Sequence, residues 1–321
     1  MTRHVRAWAA LAVLALFVSC DRGAPAWWSE GQDSGRVNTA GWEDSPFLSH
    51  DGRRLYFMYS PSNFWPIFTG GSPVKVGPAR PGHHDPPCGS PWMDADTYVV
   101  ERRDDGTWGP PENLGFNAGF TDSCGMMTRD GRRFCYLTRT VGGPENPTIH
   151  GVERNDDGTW GLPRDLGVGL AEPQHGHPCT NPHLSADERA LWFASKRDGG
   201  QGGLDLWVAR RHPDGTWGEP ENLGPEINTR EDEDQPWVSA DGRLLFFNRG
   251  MAIYESALVD GHWQSPRRVV IADTPMAAEI SLTDDLQTMC LAVPDPARKD
   301  ITIAISRRLP DGTWGKPVPV D

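Results

Sequence analysis

The chain has 321 residues, and its 31 Lys and Arg against 44 Asp and Glu leave a formal net charge of −13. A chain this acidic lacks the basic face that tracks a phosphate backbone, so we expect no nucleic-acid partner. Its 36 Gly and 29 Pro are typical of many short strands joined by turns, and no helical periodicity competes with that pattern after the first twenty residues.

The amino terminus predicts export. Arg3 and Arg6 give a basic start, an apolar run covers 7–19, and Cys20 follows, as in a signal peptide too short to span a bilayer permanently. The tetrapeptide FVSC that ends at Cys20 resembles the lipobox of bacterial lipoproteins, with Phe where Leu is usual. This resemblance implies that Cys20 is the lipidated first residue of a mature envelope protein. The alternative is cleavage after 24–26, which would leave a soluble periplasmic or secreted protein.

Two signatures then alternate along the chain. The pentapeptide DGTWG, or a near copy of it, recurs at intervals of 52, 57, 46 and 51 residues, which suits one four-stranded β-propeller blade per interval. Its copies begin at Asp105, Asp157, Asp214, Asp260 and Asp311. A second signature of the form S-x-D-G-R, followed by an apolar run, begins at Ser49, Thr128, Ser185, Ser239 and Thr283. It predicts a strand end, a tight turn and a buried strand.

A third strand lies between the two signatures, most clearly at 96–99 and 205–208. Each unit therefore reads as strand A, turn, strand B, loop, strand C, turn, strand D. We expect the five repeat Trp rings to fill the wedges between blades rather than to stack on a sugar, with Trp217 buried. These rings are Trp108, Trp160, Trp217, Trp263 and Trp314.

The phrases LSADERALWFASKRDGGQGGLDLWVARR and PDGTWGEPENLGPEINT resemble the WD40-like repeat of TolB-type β-propellers, and the resemblance covers 43–320. It implies an all-β fold, a single propeller of five four-stranded blades, but no particular ligand, because such repeats share what a blade needs. Six blades is the alternative, because 27–44 matches 217–234 in spacing and adds a sixth D-like segment. That segment either adds a strand to the last blade or tethers the domain.

The predicted domain organisation is a signal peptide at 1–19, a lipidated tether with an amino-terminal strand at 20–42, and the propeller at 43–321. A propeller grows by adding blades around one axis, so one domain is expected despite the length. We expect a monomer that touches the membrane only through its lipid.

Aligning the A strands places polar residues at one mouth of the channel, where the D-to-A connectors enter. This mouth is the default ligand site of the fold. The candidate binding residues on these strands are Glu43, Asp44, Asp122, Asn181, Asp234, Gln235 and Glu279. Two loops should overhang the same mouth, since a long insertion inside a compact domain is usually functional or disordered. They carry Trp65, His83 and His84 in the B-to-C insertion of blade 1, and His175 and His177 before blade 3.

The chemistry of these residues leaves two functions open. The preferred one is non-catalytic binding of a protein or glycan of the cell envelope. The alternative is a glycan-cleaving hydrolase that uses mouth carboxylates as acid and nucleophile or base, although acids at strand starts also cap turns. The His residues could join a metal shell, but their spacing is not diagnostic, so we predict neither a metal nor a cofactor.

Five cysteines remain after Cys20. Cys135 and Cys290 occupy the same B-strand position in blades that are not neighbours, so we expect them to be small buried residues. A bridge is plausible among the remaining three, Cys88, Cys124 and Cys179.

We predict that Cys20→Ala moves the protein from the membrane fraction to the soluble fraction, because acyl chains contribute about 0.8 kcal/mol per buried CH₂ to membrane binding. Cell fractionation followed by intact-mass analysis checks this, with Cys88→Ala as a control that should stay in the membrane fraction. A native chain that begins at Trp27 and carries no acyl groups would contradict the prediction.

Overall fold

The computed structural model describes residues 35–84, 94–117, 121–138, 148–168 and 179–320. These residues form a five-bladed β-propeller, which confirms the predicted all-β class and blade count. Within them no helix has the length and apolar character needed to cross a membrane.

The strand bounds follow the predicted A, B, C, D order. Blade 1 and its insertion comprise β1 (Trp42–Leu48), β2 (Arg54–Ser60), β3 (Ser62–Asn63), a 3₁₀ helix (Trp65–Thr69), β4 (Val74–Lys75), β5 (Asp96–Glu101) and β6 (Glu112–Asn113). Blade 2 comprises β7 (Asp122–Met127), β8 (Arg133–Thr138), β9 (Thr148–Glu153) and β10 (Arg164–Asp165). Blade 3 comprises β11 (Cys179–Leu184), β12 (Ala190–Ser195), β13 (Asp205–Arg210) and β14 (Glu221–Asn222).

Blade 4 comprises β15 (Glu233–Val238), β16 (Leu244–Arg249), β17 (Ala252–Val259), β18 (His262–Trp263) and β19 (Arg267–Arg268). Blade 5 comprises β20 (Ala278–Leu282), β21 (Thr288–Asp295), β22 (Asp300–Arg307) and β23 (Val318–Pro319). Neighbouring strands of each blade pair antiparallel in chain order, and in blade 4 both β18 and β19 pair with β17.

The A-to-B hairpins form because each signature satisfies its own turn. In blade 4, Ser239 Oγ donates to Asp241 Oδ1 at 2.6 Å, and the same carboxylate accepts the backbone N–H of Arg243 at 3.0 Å. Ser239 Oγ also accepts the backbone N–H of Leu244 at 2.9 Å. Gly242 adopts φ 69°, a left-handed conformation that glycine reaches without strain. The turn chemistry thus sets the register of the two strands.

The ring closes through Asn38, which precedes β1. Its side-chain amide donates to the carbonyls of Ile303 (3.0 Å) and Val320 (2.8 Å), and its carbonyl oxygen accepts the N–H of Ile303 at 2.7 Å. Asn228 makes the same paired contact with Leu206 in blade 3. Residues 35–41 are therefore a D-to-A connector that clasps blade 5, whose four strands all come from 278–319. The proposed extra strand does not occur among the described residues, and 27–34 lie outside them.

The sequence left open one bridge among Cys88, Cys124 and Cys179, and the structure has both Cys124 and Cys179 as free thiols. The thiol of Cys124 lies 3.3 Å from Ser45 Oγ, whereas Cys179 Sγ lies 3.2 Å from Arg197 Nη2, so the two sulfurs occupy different environments. Cys88 lies outside the described residues. Cys135 and Cys290 are fully buried, as predicted.

The repeat Trp rings pack between blades, but less deeply than the sequence predicts. Trp314 is 3% exposed and belongs to the core shared by blades 4 and 5. Trp217 is only half-buried against the core of blades 2 and 3, with the Arg211 guanidinium 5.7 Å from its ring centroid. The expectation of a buried Trp217 is wrong. The backbone of Trp314 also bridges Ile271 of the connector from blade 4, whereas within the described residues Trp217 bridges only Arg211 of its own blade.

This difference predicts unequal costs of truncation. Trp314→Ala should lower the free energy of unfolding by roughly 3–5 kcal/mol, the usual range for a buried large aromatic, whereas Trp217→Ala should cost roughly 1–2 kcal/mol, within the ordinary range for partly buried sites. Urea unfolding of both variants at one pH checks the order. An equal loss of unfolding free energy in the two variants would show that the half-buried Trp217 and the buried Trp314 stabilise the fold equally.

Candidate functional site

Five residues with a left-handed backbone line one mouth of the channel. We call them the mouth ring: Ser45 (φ 52°), Cys124 (φ 52°), Asn181 (φ 50°), Gln235 (φ 54°) and Glu279 (φ 57°). Each lies where the pairing of strand A with strand B shifts register, so the ring is built from five β-bulges. Bulges re-aim side chains, and here all five residues line one cavity. The sequence alignment of the A strands therefore identifies residues that meet in space.

Hydrogen bonds link the ring from blade to blade. Asn181 Nδ2 donates to Asp234 Oδ1 at 2.6 Å, and the N–H of Gln235 donates to the same oxygen at 2.8 Å. Gln235 Oε1 then accepts the N–H of Glu279 at 2.7 Å. Glu279 Oε2 in turn accepts the N–H of Ser45 at 2.5 Å, across the closure of the propeller.

Asp44 is held from two sides. Its Oδ1 accepts from Ser45 Oγ at 2.9 Å, and its Oδ2 accepts from the indole Nε1 of Trp42 at 2.7 Å. The Trp42 donor and Asn248, whose side-chain oxygen accepts the N–H of Glu279 at 3.1 Å, were not predicted from the sequence. Trp42 lies one position before the aligned columns, and Asn248 lies on strand B of blade 4, so the alignment of the A strands contained no signal for them.

The carboxyl groups of the mouth are desolvated. Burial raises the pKa of Asp44 and of Asp234 to about 6, in spite of hydrogen bonds that favour the charged forms. Burial also raises the pKa of Glu279 well above its ordinary value, and the neighbouring charge of Asp44 adds to that shift. The acidic side of the mouth therefore gains its charge only as pH approaches and passes neutrality.

The space enclosed by the ring is small. The cavity measures about 50 Å³, where one water needs roughly 10–15 Å³ on the same scale. Pro46, Pro182 and Pro236 stiffen its wall. The channel cavity bordered by the ring can thus hold a few waters or the tip of one side chain, but not a sugar ring.

Two of the predicted mouth residues are withdrawn from solvent. Glu43 is fully buried, its carboxylate accepts from Thr39 at 2.5 Å, and it lies 3.4 Å from the guanidinium of Arg80. Arg80 also stacks over the ring of Tyr59 at 4.3 Å. Asp122 is likewise buried at the start of β7. Burial makes both residues unavailable to a ligand, and Glu43 instead holds Thr39 of the connector that enters blade 1.

A repeated arginine was missed by the sequence analysis. Arg249 pairs with Glu233 at 2.7 Å and stacks on Tyr254 at 4.8 Å, as Arg80 does with Glu43 and Tyr59. In blade 3 the corresponding Arg197 meets a thiol, that of Cys179. Arg249 ends β16, Arg197 lies two residues after the end of β12 and Arg80 comes from the long insertion in blade 1, so the three share no aligned position that the sequence could reveal.

The insertion of blade 1 places its His residues over the edge of β5. His83 Nε2 lies 2.5 Å from Asp94 Oδ1, and its Nδ1 lies 3.3 Å from Asp96 Oδ2. These two carboxylates raise the pKa of His83 to about 9 against the opposing effect of burial, so the ring is an imidazolium at neutral pH. The N–H of His84 donates to Asp96 at 2.9 Å. This arrangement is an internal ion-pair network that fastens the insertion.

The aromatic part of the insertion lies beside the mouth. Trp65, Ile67 and Phe68 are half-exposed and pack on a core that contains Trp42 and Phe64. His175 and His177 lie outside the described residues. Among the residues that the structure describes, no group of three or more His, Cys, Asp or Glu side chains is arranged to hold a metal ion.

Neither a protein-family model nor a curated protein matches the chain. Solved structures do: a TolB-assigned protein from Agrobacterium tumefaciens is 16% identical with a TM-score of 0.50, over 88% of this chain and 81% of that one. TolB from Acinetobacter baumannii is 14% identical (TM-score 0.44, 71% of this chain), and this chain spans about half, 49%, of its length. A periplasmic gluconolactonase from Pseudomonas aeruginosa is 13% identical (TM-score 0.42, 86% of each chain). At these identities the likeness shows a TolB-like propeller fold.

The desolvated carboxyls predict a specific pH dependence of stability. A carboxyl whose pKa is raised in the folded state stabilises the fold while it is protonated. This stabilisation is fully present below the unfolded pKa of about 4 and is lost as pH rises through about 6. Asp234→Asn should remove that loss, because Oδ1 alone accepts the Asn181 and Gln235 bonds and an amide oxygen can replace it. We expect the variant to gain roughly 1–3 kcal/mol relative to wild type between pH 4 and pH 7.

Urea unfolding at several pH values measures this difference. Asp241→Asn is the matched control, because the pKa of Asp241 is shifted in the opposite direction. Hydrogen bonds from Ser239 and Arg243 lower that pKa, so the stabilisation that Asp241 provides is lost as pH falls below about 4. If wild type and Asp234→Asn keep a constant difference from pH 4 to pH 7, the carboxyl is not desolvated.

Proposed function

We propose that this protein is an exported, lipid-anchored protein of the cell envelope whose propeller binds a partner without catalysis at the mouth ring. Export and anchoring rest on the basic start, the apolar run and Cys20. The observation that carries the binding function is that the mouth carboxylates are fixed hydrogen-bond acceptors, while the channel cavity beside them is too small for a sugar.

The geometry argues against the hydrolase alternative. A glycosidase needs one carboxyl that donates a proton and a second that attacks or activates water, both facing a cleft that admits the sugar. Here Asp44, Asp234 and Glu279 each accept hydrogen bonds from their neighbours in the ring. Of the three, only Glu279 borders the channel cavity of about 50 Å³, so no pair of them flanks that space. These contacts support binding rather than turnover.

The charge of the mouth favours a protein partner with a cationic segment. Asp44 and Glu279 are half-buried rather than sealed, so part of each side chain remains open to the mouth. The connector into blade 4 adds the exposed Glu231 and the half-buried Asp232 to the same rim, whereas Glu233 is buried against Arg249. A Lys or Arg side chain is narrow enough for the space and complements this charge. A glycan would find neither a sugar-sized cavity nor a matching charge there.

The insertion of blade 1 supplies an apolar part of the same surface. Trp42 connects the two parts, because its indole donates to Asp44 while its ring meets Phe64 edge-on, with centroids 5.6 Å apart. Trp65 and Phe68 continue this aromatic surface and remain half-exposed. Aromatic anchors beside complementary charges are typical of sites that bind protein segments.

Photo-crosslinking tests the proposal with the full-length chain in cells. A photoreactive residue at position 65 should give an adduct with a discrete envelope protein, whereas one at position 157, in a C-to-D hairpin outside the mouth, should not. The double variant Asp44→Asn, Glu279→Gln should reduce the adduct at least fivefold, and Glu101→Gln, an exposed acid of blade 1, should leave it unchanged.

The pH adds an independent criterion. Because a cationic partner binds the charged carboxylates, the adduct should increase as pH rises from 5 to 7.5, through the pKa of about 6 of Asp44. An adduct with polysaccharide rather than protein would contradict the choice of partner. Hydrolysis of any envelope glycan that disappears in Asp44→Asn or Glu279→Gln would overturn the non-catalytic function itself.

A further inference from the structure

A groove between blades 2 and 3 lies apart from the mouth ring. Its cavity measures about 240 Å³, nearly five times the space at the mouth, and approaches the range of about 300–1,000 Å³ found for small-molecule pockets. Cys135, Gly151, Leu184 and Trp217 line its apolar part, and Arg133, Arg164 and Arg211 line its polar part. We call this cavity the blade 2–3 groove.

The groove arises from a row of small residues across blade 2. Directly paired residues on neighbouring strands share one face of a sheet. The paired residues compared below form a row across strands B and C, on the face that each blade turns toward the next blade. In blade 1 the middle of the row is Tyr56 paired with Val99, and in blade 3 it is Trp192 paired with Val208. In blade 2 the same two places are taken by Cys135 and Gly151.

The neighbouring side chains fill only part of the missing volume. A side chain at 151 would bring its Cβ to 2.8 Å from Leu166 Cδ2, so glycine is what lets Leu166 lie against the strand. Across the gap, blade 3 contributes the rim residue Trp217, whose ring is only half-buried. A close-packed interior loses contacts at such a gap, which a ligand with an apolar body would restore.

The rim of the groove is cationic in a chain of net charge −13. Arg133 is paired with Glu153 at 2.7 Å and with Glu188. Glu188 is shared, because Arg211 Nη1 also lies 4.0 Å from it. Three guanidinium groups therefore face two carboxylates, which leaves one positive charge in excess.

Arg164 carries this excess charge. It is paired with Gly151 across β9 and β10, so its side chain leaves the sheet on the face of the gap. It is exposed and forms no ion pair within the described part of the chain. A guanidinium presents a planar fork that matches a carboxylate with two parallel hydrogen bonds.

We propose that the blade 2–3 groove binds a small organic anion: a carboxylate at Arg164 with an apolar ring over Gly151, Leu184 and Trp217. The site differs from the mouth ring in its residues, its charge and its ligand, so it stands or falls independently of the function proposed for the mouth.

Titration by nuclear magnetic resonance tests the site with three probes. Phenylacetate has both the ring and the charge, phenylacetamide has the same shape without charge, and acetate has the charge without the ring. Phenylacetate should shift the indole N–H signal of Trp217, assigned by its loss in Trp217→Phe, with a dissociation constant in the millimolar range. Phenylacetamide and acetate should each bind at least tenfold more weakly.

Variants separate the proposed contacts from general effects. Arg164→Gln should weaken phenylacetate binding about tenfold, whereas Arg267→Gln, at the matching strand position of blade 4, should not change it. Gly151→Val restores the residue type of blades 1 and 3 and should abolish binding. If that variant does not fold, Arg164→Gln and the amide probe still decide the question.

Three results would overturn the proposal. They are an equal response to phenylacetate and phenylacetamide, an unchanged affinity in Arg164→Gln, and shifts confined to indole signals other than that of Trp217.

Discussion

The propeller depends on filling five wedge-shaped spaces between twisted sheets. Each blade presents a row of side chains to the next one, and the row must reach far enough to meet it. Tyr56 of blade 1 does so, with its ring centroid 5.3 Å from that of Phe134 in blade 2. Apolar packing of this kind is the largest stabilising contribution in a sheet-on-sheet interface. Filling these spaces fixes the angle between neighbouring blades, and that angle determines where the A strands begin and where the central channel lies.

The mouth ring is a consequence of that closure. Five innermost strands converge on the axis, and a bulge in each turns one residue toward it. Convergence removes water from carboxyl groups that would be solvated on an isolated hairpin, which raises the pKa of Asp44, Asp234 and Glu279. The hydrogen bonds from Asn181 through to Ser45 then hold these acids in fixed positions. The result is a preorganised set of acidic hydrogen-bond acceptors, on which the proposed binding function rests.

The individual properties of the molecule come from departures from the repeat. The insertion in blade 1 adds the half-exposed Trp65 and Phe68 beside the mouth and is fastened by His83 between Asp94 and Asp96. In blade 2, the substitution of a large pair by Cys135 and Gly151 leaves the blade 2–3 groove. The repeated blades form the scaffold, whereas the insertion in blade 1 and the small residues in blade 2 each create a local surface feature.

Much of the architecture is present in the sequence by itself. The spacing of the DGTWG copies determines the number of blades, and turns such as 239–244 satisfy their own hydrogen bonds and so determine where strands A and B begin and end. Alignment of the A strands also identifies Asn181, Gln235 and Glu279, three of the five residues of the mouth ring. These features are readable because they depend on residues close together in the chain and recur in every unit.

The tertiary structure alone decided which distant residues meet. Glu43 belongs by alignment to the mouth, yet it is buried because Arg80, from a loop 37 residues later, covers it. Asn38 sits in a segment that reads as a strand, but its contacts with Ile303 make that segment the clasp of the ring. The volume left at Gly151 depends on the facing blade as much as on its own. Burial, and with it charge state and cavity volume, depends on side chains from separate blades, and no local pattern in the sequence records those pairings.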